Sequence, residues 1–149
     1  MVEPSRDDVV EAVHRSWWSV DRDYGSGSEL HFTDDGECLM PALAMRGRSE
    51  IAAGYAKRQA NGPRLSRHLV SNLVVDVHAA GRASATYVVA LFAGNGSAPL
   101  AVDSPSAICD VHDEYVQHDG RWLIARRELA EVFVSPTNDS VMLRRGEGE

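Results

Sequence analysis

The hydrophobic period of this chain changes once, at Asn61-Gly62-Pro63. Before that stop, Val9, Val13, Trp17 and Val20 recur at helical spacing and mark one apolar face. Ser5 precedes them as an N-cap, and Asp7 and Asp8 suit the positive end of the helix dipole. The helix should run to about Asp21 to Tyr24, where Gly25-Ser26-Gly27-Ser28 breaks it. Leu30 to Thr33 reads as a short helical turn, Asp34-Asp35-Gly36 as a turn, and Glu37 to Ala42 as a short strand. A second helix is expected from Gly47-Arg48-Ser49-Glu50, with Ser49 as N-cap and Ile51, Tyr55 and Arg58 along it. After Pro63 the period becomes two. Strands are expected at about 66–78, 83–93, 106–118 and 121–134, and Asp119-Gly120 is a hairpin signal between the last pair. Helices first and antiparallel strands after them make an α+β order, with the helices on one face of a curved sheet.

The chain has 149 residues, of which 44% are hydrophobic, so one domain with a packed core is expected. No repeat or linker interrupts residues 1–134, which read as that single domain; 135–149, with Pro136, Asn138 and Gly146, read as a flexible tail or one packed on a neighbouring subunit. No apolar run reaches the roughly 18 residues that cross a bilayer. The start, Met1 to Asp8, is polar and acidic, unlike a secretory signal, so a cytoplasmic location is expected. A formal net charge of −7 argues against nucleic acid, which needs basic patches. Cys38 and Cys109 show no CxxC spacing and read as free thiols rather than disulfide or zinc ligands.

The run Arg67 to Val75 places an imidazole and a carboxamide in an otherwise apolar strand. His68 and Asn72, four residues apart, should share one face with Val70 and Val74. A titratable group and an amide set in an apolar wall are what a small-molecule pocket needs. Asn72 could hold a substrate oxygen, or satisfy backbone groups beside a bulge. Tyr55 and Tyr24 could donate to a carbonyl or a pocket water, though core packing alone also explains Tyr55. Trp17 and Trp18 are adjacent and must diverge, one into the core and the other to a pocket wall or an interface. Asp110 and His112 share one strand face, which is expected to be solvated, and Asp113 and Tyr115 share the other. No set such as His112, Asp110 and His68 has strong metal-ligand spacing, so no metal or cofactor is expected.

In this order the chain resembles the nuclear transport factor 2-like superfamily, in its SnoaL-like branch. The resemblance rests on Val20-Asp21-Arg22-Asp23, Phe32-Thr33-Asp34-Asp35-Gly36, Arg46-Gly47-Arg48-Ser49-Glu50-Ile51, Ser66 to Asn72, Asp113-Glu114-Tyr115, Asp119-Gly120-Arg121-Trp122 and Arg127, covering about residues 5–134. It implies a cone-shaped α+β barrel: helices packed into a strongly curved, mixed, mostly antiparallel sheet around one deep apolar pocket. Homodimers or homotrimers are expected by the same resemblance. Such folds host many activities, so residues must decide between them. In the dehydratase and dehydrochlorinase members a helix-end Asp orients a strand His, and Asp21 and His68 resemble that pair. Arg127 resembles a pocket Arg of the dehydrochlorinase; the alternative is a buried ion pair with Asp113 across the hairpin.

The departures from these relatives narrow the implied function. Met40, before Pro41, stands where ketosteroid isomerase keeps its base Asp. The strand from Ala83 to Ala93 lacks the second His of scytalone dehydratase and the Arg-Asp pair of limonene epoxide hydrolase, and carries only Tyr87 as a polar aromatic. The expectation is a cofactor-free enzyme for a small apolar, aromatic or polycyclic ligand, working by proton abstraction as a dehydratase or lyase, isomerase or cyclase. His68 and Asp21 would be catalytic. Arg127, Asn72, Tyr55, Trp18, Tyr24 and Met40 would contact substrate. The alternative is a non-catalytic binding or scaffold subunit resembling the β subunit of ring-hydroxylating dioxygenases.

Overall fold

A computed structural model describes residues 5–137. Two helices and six strands follow in the order α1 (Arg6–Arg22), β1 (Phe32–Met40), β2 (Leu43–Arg46), α2 (Arg48–Ala60), β3 (Arg64–His78), β4 (Arg82–Asn95), β5 (Ala107–His118) and β6 (Arg121–Val134), with one 3-10 turn at Ser28–His31. The strands form one open sheet in the order β2-β1-β6-β5-β4-β3. The β1 and β6 pair is parallel and the others are antiparallel, so the architecture is α+β with a mixed, mostly antiparallel sheet. No helix among the described residues is long and apolar enough to cross a membrane.

The start of α1 follows from its capping chemistry. Ser5 Oγ accepts from the Asp8 backbone N–H, and the Asp8 carboxylate accepts from the Ser5 N–H, so two orphan donors are satisfied reciprocally. The second helix differs from expectation. Its N-cap is Gly47, at φ 84°, and not Ser49, which lies inside the first turn. Gly47 offers no side-chain cap, and Glu50 in the first turn instead ties down the approach to the helix by accepting from the Arg46 N–H at 2.8 Å.

The stretch before α2 departs from its local signals. Asp34, Asp35 and Gly36 lie within β1 rather than in a turn, and β2 is a strand that the apolar pattern did not mark. Tertiary pairing explains both. β1 lies between β2 and β6, and a register shift between Phe32 and Glu37 absorbs the acidic pair. Gly36 permits this, because a Cβ there would lie 2.8 Å from the Ile124 carbonyl oxygen. In β3 a second bulge falls between Ser71 and Val74, and Asn72 adopts φ 54°, a left-handed conformation that Asn tolerates. The bulge moves the inward face from His68 and Val70 to Val75. Asn72 and Val74 are turned outward and exposed, so they do not share the face of His68.

The core lies between α1 and the concave face of the sheet. Val9, Val13, Trp17 and Val20 pack with Phe32, Ala85, Tyr87, Val89, Val111, Tyr115 and Ile124. One charged group sits at its centre. Asp113 is 0% exposed, and accepts from Arg127 Nε and Nη2 at 2.8 Å each and from the hydroxyls of Tyr87 and Tyr115 at 2.8 and 3.2 Å. Arg127 also donates to Ser16 Oγ on α1 at 2.8 Å. The pair is satisfied on every side that matters, which is the condition under which a buried ion pair is tolerated.

Removing one partner should therefore be far worse than removing an exposed pair. Arg127→Ala leaves a buried, uncompensated carboxylate and is expected to lower unfolding stability by about 3–5 kcal/mol. Arg15→Ala, which breaks the exposed Glu11–Arg15 pair, is expected to change it by less than about 1 kcal/mol. Urea unfolding of the two variants checks the contrast.

Candidate active site

Helix α1 ends beside the first half of β3, and this contact brings Asp21 to His68. Asp21 Oδ1 lies 2.6 Å from His68 Nδ1, and Oδ2 accepts from the His68 backbone N–H at 2.7 Å. Ser66 Oγ donates to Oδ1 at 2.8 Å, and Arg58 Nη2 donates to Ser66 Oγ at 3.0 Å. The carboxylate stands in the last turn of α1, near the negative end of the helix dipole, which by itself disfavours it. Three donors offset that placement. Ser66 and His68 alternate with Arg64 on the inward face of β3, so strand parity delivers all three side chains to one side.

The electrostatics assign the proton. Burial alone pushes the Asp21 carboxyl up, but the hydrogen bonds and charge of His68, with the Ser66 hydroxyl, hold it below its ordinary value. Burial dominates at His68 and pulls its pKa below that of a free imidazole, against the upward pull of Asp21; Arg58 and Arg127 add to the lowering. At neutral pH the pair is thus a carboxylate and a neutral imidazole. An ionised carboxylate only accepts, so Nδ1 carries the hydrogen and Nε2 keeps its lone pair. Among the described residues Nε2 has no hydrogen-bond partner.

The imidazole also stacks on Trp17, with ring centroids 4.5 Å apart and planes 21° apart. Trp17 is itself fixed. Its Nε1–H donates to the Tyr87 hydroxyl at 2.8 Å, and the Arg127 guanidinium lies 4.3 Å from its ring centroid. The buried Asp113 network therefore reaches the dyad through one indole.

A cavity of about 50 Å³ adjoins His68, walled among others by Trp17, Met40, Tyr55, Val89, Leu91 and Leu129. That volume holds a few waters and falls well short of the roughly 300–1,000 Å³ of a drug-sized pocket. Among the described residues the Tyr55 hydroxyl has no hydrogen-bond partner, and burial pushes its pKa up, so it stays protonated as a donor. Cys109 also lines the cavity; burial, then Glu131 and Asp110, push its thiol up to about 11, which makes it no nucleophile.

Of the residues expected to contact substrate, Met40 and Tyr55 line this cavity. Trp18 does not: it is 60% exposed, under the Arg22 guanidinium, and Trp17 is the wall instead. Asn72 points outward at the bulge. Arg127 is spent on Asp113 and Ser16, the structural alternative, and lies outside the cavity wall. Tyr24 lines a separate, open vestibule of about 780 Å³. His112 is exposed and bonded to Thr86 and Glu114, away from His68, and among the described residues no cluster of acids, His and Cys could hold a metal. The sequence reading passed over Ser66, Arg64 and a site role for Arg58. Counting back by twos from His68 would have found the first two. Nothing local signals that Arg58 reaches them from another element.

The curved mixed sheet over a long N-terminal helix, with a cavity at the helix end, is the nuclear transport factor 2-like, or cystatin-like, fold. The SnoaL-like domain profile matches residues 4–128, and the chain belongs to that family. No curated protein matches it. Among solved structures it is similar to ActVI-ORFA from Streptomyces coelicolor, at 22% identity over 87% of this chain and 96% of that one, TM-score 0.72. It is similarly close to a putative scytalone dehydratase from Novosphingobium aromaticivorans, at 20% identity over 87% and 85%, TM-score 0.72. A Catenulispora acidiphila protein in complex with S-DNPA gives 22% identity over 84% and 91%, TM-score 0.69.

The electrostatics of the dyad can be read directly. In a histidine NMR titration His68 is expected to titrate below the ordinary imidazole value of about 6.5. Asp21→Asn, by removing the charge that favours the imidazolium, is expected to lower it further. A wild-type value at or above the ordinary one would contradict the burial argument.

Proposed function

We propose that this protein is a cofactor-free acid–base enzyme acting on a small organic ligand, with His68 as the base and Asp21 as its orienting partner. The observation that carries this is the 2.6 Å contact between Asp21 and the Nδ1 of a buried His68, which leaves Nε2 open beside an apolar cavity. Nε2 takes a proton from carbon or oxygen, and the Asp21 carboxylate stabilises the imidazolium that forms. In a dehydration, the electrons of the broken C–H bond form the new double bond and hydroxide departs; His68 returns its proton to that hydroxide, releasing water. Isomerisation and ring closure share the first step and differ in where the proton is returned.

Tyr55 is the donor best placed to polarise a substrate oxygen, because it lines the cavity and its hydroxyl is protonated and has no hydrogen-bond partner among the described residues. Membership of the SnoaL-like family and the likeness to a putative scytalone dehydratase support a small-molecule enzyme. A related protein's complex with S-DNPA supports a ligand bound within such a fold. The inner cavity is small, so anything larger than a few waters enters by displacing its flexible wall, of which Met40 is the most adaptable member.

Kinetics on a panel of aromatic β-hydroxyketones, followed by the absorbance of the conjugated product, test the reading. His68→Ala and Asp21→Asn are each expected to lower turnover by about 10² or more while leaving the fold intact. The acid limb of kcat/KM should lie below pH 6.5, since burial lowers the base's pKa and activity is lost only as His68 gains its proton. Full activity in both variants would make the dyad structural.

A further inference from the structure

The carboxylate of the dyad has a second cation close to it, which the acid–base step does not use. Arg58 comes from α2 and is only 6% exposed; with Arg64, the first residue of β3, it lines both the dyad cavity and the open vestibule. Arg127 meets its carboxylate directly. Arg58 meets one through a hydroxyl: its Nη2 donates to Ser66 Oγ at 3.0 Å, and Ser66 Oγ donates to Asp21 Oδ1 at 2.8 Å. A hydroxyl has one hydrogen, so a donor on its lone pair leaves that hydrogen to point at the carboxylate. The arrangement is an ion pair with one hydroxyl inserted. The bond from the guanidinium polarises the hydroxyl and strengthens the bond it makes in turn.

The balance of charge follows from that geometry. A buried cation is tolerated where a buried anion compensates it. At rest Arg58 is positive, Asp21 negative and His68 neutral, so the cluster carries no net charge. The charged and titratable groups around the imidazole and its cavity come from five elements: Asp21 of α1, Tyr55 and Arg58 of α2, Arg64 of β3, Cys109 of β5 and, across Trp17, Arg127 of β6. β1 and β4 contribute apolar side chains. Burial keeps Tyr55 and Cys109 protonated and neutral. Arg127 is bound to Asp113, and Arg64 Nη1 donates to the Asn95 side-chain carbonyl. Among these groups Asp21 is the one anion, and its charge is divided between Arg58 and His68. Asp21 favours the charge on Arg58, and Arg58 opposes a proton on His68.

We propose that Arg58 and Ser66 are positioning residues of the dyad: Arg58 is the counter-charge of Asp21, delivered through the Ser66 hydroxyl, so that the resting cluster is neutral and Nε2 stays free. Neither residue touches the reacting atoms. Asp21 keeps enough charge to orient the Nδ1–H bond, and Arg58 stops it from holding a second proton on the ring at rest. The base is then free at neutral pH and returns its proton readily after taking it. That Nε2 acts on a ligand rests on the acid–base reading above; the division of charge does not.

The test is a histidine NMR titration of His68 in the full chain without ligand. Arg58→Gln removes the charge and is expected to raise the pKa of His68 by about 0.5 or more, because Asp21 then favours the imidazolium unopposed. Arg58→Lys keeps the charge and should move it by less than half as much. Ser66→Ala breaks the bridge and should also raise it, whereas Ser66→Thr, which keeps the hydroxyl, should restore the wild-type value. Arg126→Gln removes an exposed arginine paired with Glu128 and should leave it unmoved. A merely structural role would not follow charge and hydroxyl in this way. An unchanged or lowered value in Arg58→Gln, an equal rise in Arg58→Lys, or a value that Ser66→Ala leaves unmoved overturns the proposal. If Arg58→Gln fails to fold, the serine pair decides: a rise confined to Ser66→Ala supports the bridge, and equal values in Ser66→Ala and Ser66→Thr overturn it. In turnover, the acid limb of kcat/KM should move upward with the titration. A shifted titration with full activity in His68→Ala would remove the acid–base reading and leave the charge arrangement standing; an unshifted titration with activity lost in His68→Ala would remove the arrangement alone.

Discussion

The Asp113–Arg127 pair is the constraint on which the rest of this structure hangs. A carboxylate with no exposure needs its full complement of donors, and it takes them from three strands: Tyr87 of β4, Tyr115 of β5 and Arg127 of β6. Arg127 then ties the sheet to α1 through Ser16, and Tyr87 ties it again through Trp17. These bonds have direction, unlike apolar contacts, so they set the rotation of α1 on the sheet. Rotation matters because Trp17 and Asp21 lie four residues apart on that helix, about one turn. When Trp17 is placed, Asp21 is placed too, and both meet His68.

The dyad is thus a product of two layers of polar organisation. The inner layer, at Asp113, holds elements together. The outer layer, from Arg58 through Ser66 to Asp21 and His68, sets tautomer and charge. Trp17 joins them by stacking on the imidazole and lying beside the guanidinium. Burial keeps His68 neutral, and the donors around Asp21 keep it ionised against its own burial, even though the two share a hydrogen bond. Desolvation penalises the imidazolium, while the donors around the carboxylate favour its charge. The same burial makes Arg58 conspicuous, since it is a charge of the opposite sign in the same dry wall.

How much of this could be read beforehand depended on how local the cause was. The stop at Gly62-Pro63, the cap at Ser5 and the hairpin at Asp119-Gly120 act within a few residues, and the elements they bound lie close to where they were expected. Asp34-Asp35-Gly36 carries an equally clear turn signal and yet is strand, because Phe32 and Glu37 on either side of it pair with β6 and hold it as a bulge. Asn72 shows the same limit at one residue. Strand parity put it beside His68, and a bulge two residues long turned it away. Period-two reasoning has no warning of a bulge, and every residue beyond one changes face.

The sequence by itself determined the α+β order, the amphipathic face of the first helix and the set of residue types able to do acid–base chemistry. It did so because periodicity, capping and turn propensity are properties of neighbours. Only the tertiary structure decided which of two adjacent tryptophans walls the cavity, that Arg127 is committed to Asp113, and that Arg58 and Arg64 converge between two spaces. Those outcomes depend on contacts between elements, from Asp113 and Arg127, 14 residues apart across a hairpin, to Ser16 and Arg127, 111 apart. No local rule orders side chains across such distances; the packing of α1 and α2 on a bulged, curved sheet does.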